Sequence, residues 1–390
     1  MRIAPAVRTY ISHFEEARNR GVEHPPRPAL ELDVIAAPLM DLTKKHVLFG
    51  RIGQRWFGPQ ALSLFPGAHE RTLAMVADER GPEDALRWFV KLYETTQTRL
   101  RFIAEVHGLN LNAVASFSNG VRIVQISELP DTRRSRSLNA DYLFPQSRSA
   151  ARYTMKPVAA VYEVECVGAG GPYLGPPFSP EIAETVRAFS LVHPAAPVIG
   201  LAWTEYCDPD LARSEHLMWR LPLFDGPSTF MNITAIYEAD LVKVEKVLSL
   251  KPPVRKHVNL AAERLILARR RVSTGNRAID VGVCLETIFC SDGERGEINY
   301  RLGLRAALYL ETDVDRRNIL RNEVRDLYAL RSKAAHGFQG DWTDEETKTA
   351  MRGLEIAASA LDRLLELDAL PVWRDWENAG GKPAPRTQIE

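Results

Sequence analysis

At Pro252-Pro253 the pattern of this chain changes, and that change restricts its possible folds more than any other feature. Downstream, apolar residues recur three and four positions apart, the period of a helix with one buried face. The spacing predicts helices at about 256–271, 276–290, 296–309, 314–336 and 344–367. Thr343 with Glu346 forms a capping box at the start of the last one, each side chain satisfying a backbone amide of the other residue. Consecutive helices on short connections pack as antiparallel neighbours, so a helical bundle is expected over 254–370. The Gly- and Pro-bearing stretch 378–390 is expected to be a disordered tail.

Upstream the signals are mixed. The first ~110 residues read mainly as helix. The strongest helical pattern runs from Pro82 to Val106, with Leu86, Phe89, Leu92, Leu100 and Ile103 at helical spacings. Ala113 to Ser127 then alternates like a strand pair, with Ser118-Asn-Gly120 as its turn. Residues 131–152 read as loop, 157–167 as strand, and 168–180 as Gly- and Pro-rich loop. Ser179-Pro180 starts a helix reaching about Val192, serine at the cap and proline in the first turn. Short strands are expected at 197–203 and 217–224. The fold class is therefore α+β: a mixed α/β region over 1–250, in one body or two subdomains, followed by an all-α bundle.

Composition narrows the function classes. With 390 residues, two domains are the natural expectation. Fifty basic side chains balance fifty acidic ones, so overall charge names no partner. Between Arg255 and Lys333 sixteen basic residues face eleven acidic ones, a surplus of five that suits a polyanion or a solvated surface equally. Cys166, Cys207, Cys284 and Cys290 form no C-x-x-C pair and read as reduced thiols. The N-terminal segment lacks the apolar core of a signal peptide, and no apolar run reaches the ~18 residues that span a bilayer. No membrane partner and a cytoplasmic location are expected. Gly168-Ala-Gly-Gly-Pro172 lacks the third glycine of a dinucleotide loop. No P-loop, H-E-x-x-H, Cys/His cluster or G-x-S-x-G occurs, so no metal and no cofactor is expected. Arg133-Arg-Ser-Arg136 reads as a solvated basic loop.

One segment, Tyr328 to Phe338, carries chemistry. Leu320, Val324 and Leu327 make an i, i+4, i+7 stripe, and Arg331 is its next position. A charge where the pattern calls for an apolar group is the kind of local inconsistency found at functional sites. His336 follows, then Gly337, where a helix stops. An arginine followed by a histidine is weak by itself: Arg8/His13, Arg18/His24, Arg101/His107 and Arg187/His193 show similar spacings. Five residues turn the side chain about 140° round an ideal helix, so Arg331 and His336 of one chain point apart. They converge only if the last turn distorts, or if two chains pair about a two-fold axis. Ser332 can contact phosphate, and Lys333 adds local charge. Glu286 interrupts the apolar run Ile279–Phe289 and needs a partner, for which Arg331 is the candidate. Tyr328 either packs in the bundle or stacks on a base.

The segments Ala278–Ile288, Glu297–Ala307 and Leu327–Gly337 together resemble a HEPN domain, most closely the ApeA-like branch. The resemblance covers a little over a quarter of the chain and does not reach 1–250. Arg331, Ser332 and His336 fit the Arg, polar residue, spacer, His pattern of that superfamily position by position. The resemblance implies a metal-independent endoribonuclease acting as a homodimer in antiviral defence or a toxin system. Its partner would be RNA, and a protein trigger or inhibitor would act on the N-terminal region. Arg331 and His336 would be catalytic. Ser332, Lys333, Glu286 and Tyr328 would support them. Two alternatives stay open: a non-catalytic HEPN scaffold binding RNA or protein, and an unrecognised enzyme within 1–250 that uses the bundle to dimerise.

Overall fold

A computed structural model describes residues 54–64, 69–111, 113–130, 132, 158–170, 179–214, 221–222, 233–292, 297–338, 340–367 and 369–381. The chain is mixed α and β, with its C-terminal part helical. The described residues fall into two compact units. One draws on Met1–Glu105, Gly120–Ile182 and Gly200–Leu223, the other on Val106–Asn119, Ala183–Ile199 and Phe224–Glu390.

The first unit opens with an antiparallel hairpin, β1 (Gln54–Phe57) and β2 (Gln60–Ser63). Two helices follow, α1 (Glu70–Arg80) and α2 (Pro82–Glu94). Next in the chain come β3 (Gln97–His107), then the short β4 (Leu109–Asn110) and β5 (Ala115–Ser116), which fall in the second unit, then β6 (Arg122–Gln125) and β7 (Val158–Val167) of the first. Helix α3 (Pro180–Ala188), most of which falls in the second unit, precedes β8 (Val198–Tyr206), α4 (Pro209–Ala212) and β9 (Leu221–Pro222) in the chain. The strands of this unit lie in the order β6-β7-β3-β8-β9, with β6 antiparallel to β7 and β8 antiparallel to β9. Ile103, Val124, Ile126, Leu129, Ala159, Val161 and Trp203 bury one face of this sheet.

Among the described residues of the first ~110, the helical expectation holds for 70–94. Residues 54–63 are a hairpin and 97–107 a strand. Thr98, Leu100 and Phe102 are buried while Gln97 and Arg99 are exposed, so the period is two. The spacing of Leu100 and Ile103 fits a helix, but the threonines at 95, 96 and 98 favour a strand. The turn at Ser118–Gly120 is present, with Gly120 at φ +86°. The helix begun at Pro180 ends at Ala188 and continues as a 3-10 turn to Leu191. The expected loop 133–152, including Arg133–Arg136, lies outside the described residues, as do the decoys Arg8/His13 and Arg18/His24.

The second unit pairs β4 in parallel with β10 (Thr234–Ala235) and then runs through seven helices. They are α5 (Glu238–Ser249), α6 (Pro252–Arg270), α7 (Thr274–Phe289), α8 (Ile298–Leu310), α9 (Val314–Ala335), α10 (Asp344–Leu364) and α11 (Trp373–Ala379). Caps set the bounds. Ser273, Asp313 and Thr343 each accept a backbone N–H at a helix start, and Thr343 with Glu346 completes the expected box. The prolines of the Pro252-Pro253 pair occupy the first positions of α6, where a missing N–H is harmless.

Helix α7 is central, packing against α6, α9 and α10. Arg269 of α6 donates to the carbonyls of Ser190 and, at 2.6 Å, Ala195; burial pulls its guanidinium down to about 10. Helices α5 and α11 are not among the expected elements. Helix α11 carries the chain through Asn378 and Ala379, which were expected in the tail; residues 382–390 lie outside the described residues. Its Trp373 and Trp376 pack with Phe289 and Tyr309 over the fully buried Arg305, which donates to Glu377 at 2.6 Å and to the Phe289 carbonyl at 2.7 Å. All four cysteines are free thiols. Among the described residues no helix is long and apolar enough to cross a membrane.

Candidate active site

The end of α9 is built as the stripe requires. Leu320, Val324, Leu327 and Leu330 are buried, and Arg331 follows at 27% side-chain exposure. Its aliphatic stem lies over Gly282 of α7: a Cβ at that glycine would come within 2.8 Å of the Arg331 Cγ. The guanidinium reaches Glu286, one turn further along α7, with Nη2 3.2 Å from Oε1. That oxygen has no aligned donor; the aligned contact is Nη2 to Oε2 at 3.5 Å, long for a hydrogen bond. The pairing anticipated for Glu286 is therefore an ion pair with loose hydrogen bonding. Burial raises the Glu286 carboxyl above its ordinary value, against the opposing pull of Arg331. Arg331 Nε is buried and has no hydrogen-bond partner. The guanidinium carbon sits 5.3 Å from the centroid of the Tyr328 ring, so Tyr328 braces the cation from within its own helix.

His336 is the C-cap of α9 and is exposed. Its backbone N–H donates to the Ser332 carbonyl at 3.0 Å, and the Gly337 N–H donates to Ala334 at 3.1 Å. Gly337 has φ +79°, the left-handed conformation that ends a helix and that glycine adopts without strain. The helix thus keeps its pitch up to His336. Of the two routes to convergence, distortion of the last turn is not taken. The half-buried Ser332 sits on the same last turn.

Lys333 has partners of its own. Its Nζ lies 2.6 Å from Glu346, and the Glu346 carboxyl is held below its ordinary value chiefly by that hydrogen bond. The same Nζ is 3.7 Å from the centroid of Phe338 and 5.2 Å from that of Trp342. Lys333 therefore straps the turn after α9 to the start of α10, and its charge is largely compensated. Among the decoys, Arg101 is paired with Glu163 at 2.8 Å and His107 is buried in β3.

Gly282, Gly275 and the Phe338/Trp342 pair were not anticipated as parts of this site. A glycine inside a helix pattern hints at close approach, but a single sequence does not say to what. Among the described residues no group of three or more His, Cys, Asp or Glu side chains is placed to hold a metal ion. No protein-family model matches the chain, nor does any curated protein or solved structure.

Proposed function

We propose that the C-terminal helices form a HEPN-type bundle and that the protein is a metal-independent endoribonuclease acting as a homodimer. The observation that carries this reading is the contrast between two residues at the end of α9. Arg331 is half-buried and only loosely hydrogen-bonded to Glu286, while His336 stands exposed on the helix end. A partly exposed, loosely paired guanidinium can bind a phosphate oxygen through its terminal N–H groups and stabilise the charge that grows on it. An exposed imidazole can exchange a proton near neutral pH.

The chemistry then follows from RNA. The 2′-hydroxyl loses its proton to a base and attacks the adjacent phosphorus, the P–O5′ bond breaks, and the leaving oxygen takes a proton. One fragment ends in a 2′,3′-cyclic phosphate and the other in a 5′-hydroxyl. His336 serves one of the two proton transfers and Arg331 the pentavalent phosphorus. Because the two side chains project about 140° apart on a regular helix, the reading needs a second copy to bring one chain's Arg331 to the other's His336. The N-terminal unit would sense a trigger, restrain the nuclease or select the RNA, in antiviral defence or a toxin system.

The test is purified protein with mixed RNA and with DNA in EDTA. RNA is cut to cyclic-phosphate ends and DNA is not; His336→Ala lowers the rate by at least about 100-fold. Identical RNA patterns for the parent and His336→Ala would remove the nuclease reading. They would favour the non-catalytic scaffold, in which the Glu286–Arg331 pair is simply structural.

A further inference from the structure

We propose that Phe338 is a stacking platform for one unpaired base of a single-stranded RNA, next to the linkage held at Arg331 and His336; this rests on the ribonuclease reading above. Phe338 lies two residues beyond His336 and is 37% exposed. An exposed ring is ordinary, but this one is held from several sides. The Lys333 ammonium sits 3.7 Å from its centroid, and the Trp342 ring lies 4.8 Å away, tilted by 58°. Gly340 approaches so closely that a Cβ there would meet the Phe338 Cζ at 2.6 Å.

The holders are anchored in turn. Lys333 is tied to Glu346 at 2.6 Å. Trp342 rests on Gly275 of α7, where a Cβ would come within 2.5 Å of its Cζ2. The ring is thus prearranged beside the candidate catalytic histidine, with part of its surface open.

Three features favour a base over a protein side chain. Gly340 at the ring and the preceding Ala335, His336 and Gly337 of the chain are exposed and are small or polar, so the site offers a small aromatic surface rather than the broad apolar area of a protein interface. The nearby cations are paired, Arg331 with Glu286 and Lys333 with Glu346, so affinity must lean on stacking rather than on phosphate charge. A duplex keeps its base faces covered, whereas a single strand presents them to an aromatic ring.

The experiment uses the full chain carrying His336→Ala, so that RNA survives the measurement. Fluorescence anisotropy follows binding of a short labelled single-stranded RNA and of a series with one abasic position each. Phe338→Ala weakens binding of the intact RNA by roughly 5- to 150-fold. Phe338→Trp restores it, and the loss is the same at low and high salt. One abasic RNA binds both proteins equally, because ring and base form a single contact. The proposal is overturned if Phe338→Ala leaves every RNA bound as before, or if the abasic and ring losses simply add. It is also overturned if Phe338→Ala changes the particle mass while RNA affinity holds, which would assign the ring to contact between copies. These readouts do not depend on cutting: a parent chain inert toward RNA sinks the ribonuclease reading alone, and the abasic comparison still decides the role of Phe338.

Discussion

Arg331 ends the core stripe of α9, and its surroundings explain how a cation is tolerated there. Its stem packs on Gly282, its head reaches Glu286, and the Tyr328 ring lies against the guanidinium. The first half of this was legible from spacing, because a charge in register with Leu320, Val324 and Leu327 stands out in one dimension. Two further histidines, the buried His69 and the half-buried His257, make a separate prediction at this scale. The His69 Nε2–H donates to the Ser63 carbonyl at 2.6 Å, and burial lowers the pKa of the ring below its ordinary value. His257 of α6 is also lowered by burial, against hydrogen bonds to the Ile288 and Thr287 backbone. A folded pKa below the unfolded one means that the unfolded chain binds more protons in that window. Their contribution is complete above about pH 6.5 and is lost as pH falls through the depressed folded values. Urea midpoints should therefore drop between pH 7.5 and 5.5, and His69→Gln or His257→Gln should each flatten the slope. A profile as steep in both variants as in the parent would refute this assignment.

The helices of the second unit show where sequence periodicity is strong and where it stops. Bounds for α7, α9 and α10 fall within a few residues of expectation, because Ser273, Asp313 and Thr343 are side-chain caps that act locally. Strand β3 was misread because Leu100 and Ile103 stand three apart, a helical spacing, which arises here because both faces of the strand are buried from Phe102 onward. Helix α11 is seven residues long, too short for its Trp373/Trp376 spacing to show a period, and packing on Phe289 and Tyr309 makes up for that. The α7–α9 contact is where an element-scale prediction belongs. Gly282→Ala removes a helix-weakening glycine, worth about 0.5–1 kcal/mol, but puts a methyl where the Arg331 stem now lies. The gain and the crowding offset, so the melting temperature should move by only a few degrees. Displacing the guanidinium by about 1 Å should lower RNA cleavage by about 100-fold. Unchanged cleavage in a folded Gly282→Ala protein would show that the position of Arg331 does not matter.

For the whole molecule, the helical unit is larger than the run of helices. Val106–Asn119 and Ala183–Ile199 belong to it. Arg269 takes its acceptors from Ser190 and Ala195, and Asn259 donates to Glu184 at 2.9 Å. A cut at Pro252 would strip these partners from buried donors, so the bundle is best studied in the intact chain. The shared-cleft proposal also belongs at this scale. Arg331→Ala and His336→Ala proteins, each inactive alone, should regain a measurable part of the parent rate after mixing and subunit exchange. No recovery in verified mixed dimers would mean that the two side chains do not meet across chains. By itself the sequence determined the α+β class, the capped starts of α7, α9 and α10, the stop at Gly337 and the oddity of Arg331, because caps, periods and glycine conformations act within a few residues along the chain. Only the tertiary structure decided that Arg331 rests on Gly282 beside Glu286, and that Lys333 and Trp342 hold Phe338, because those contacts join residues far apart in sequence and no local rule relates them.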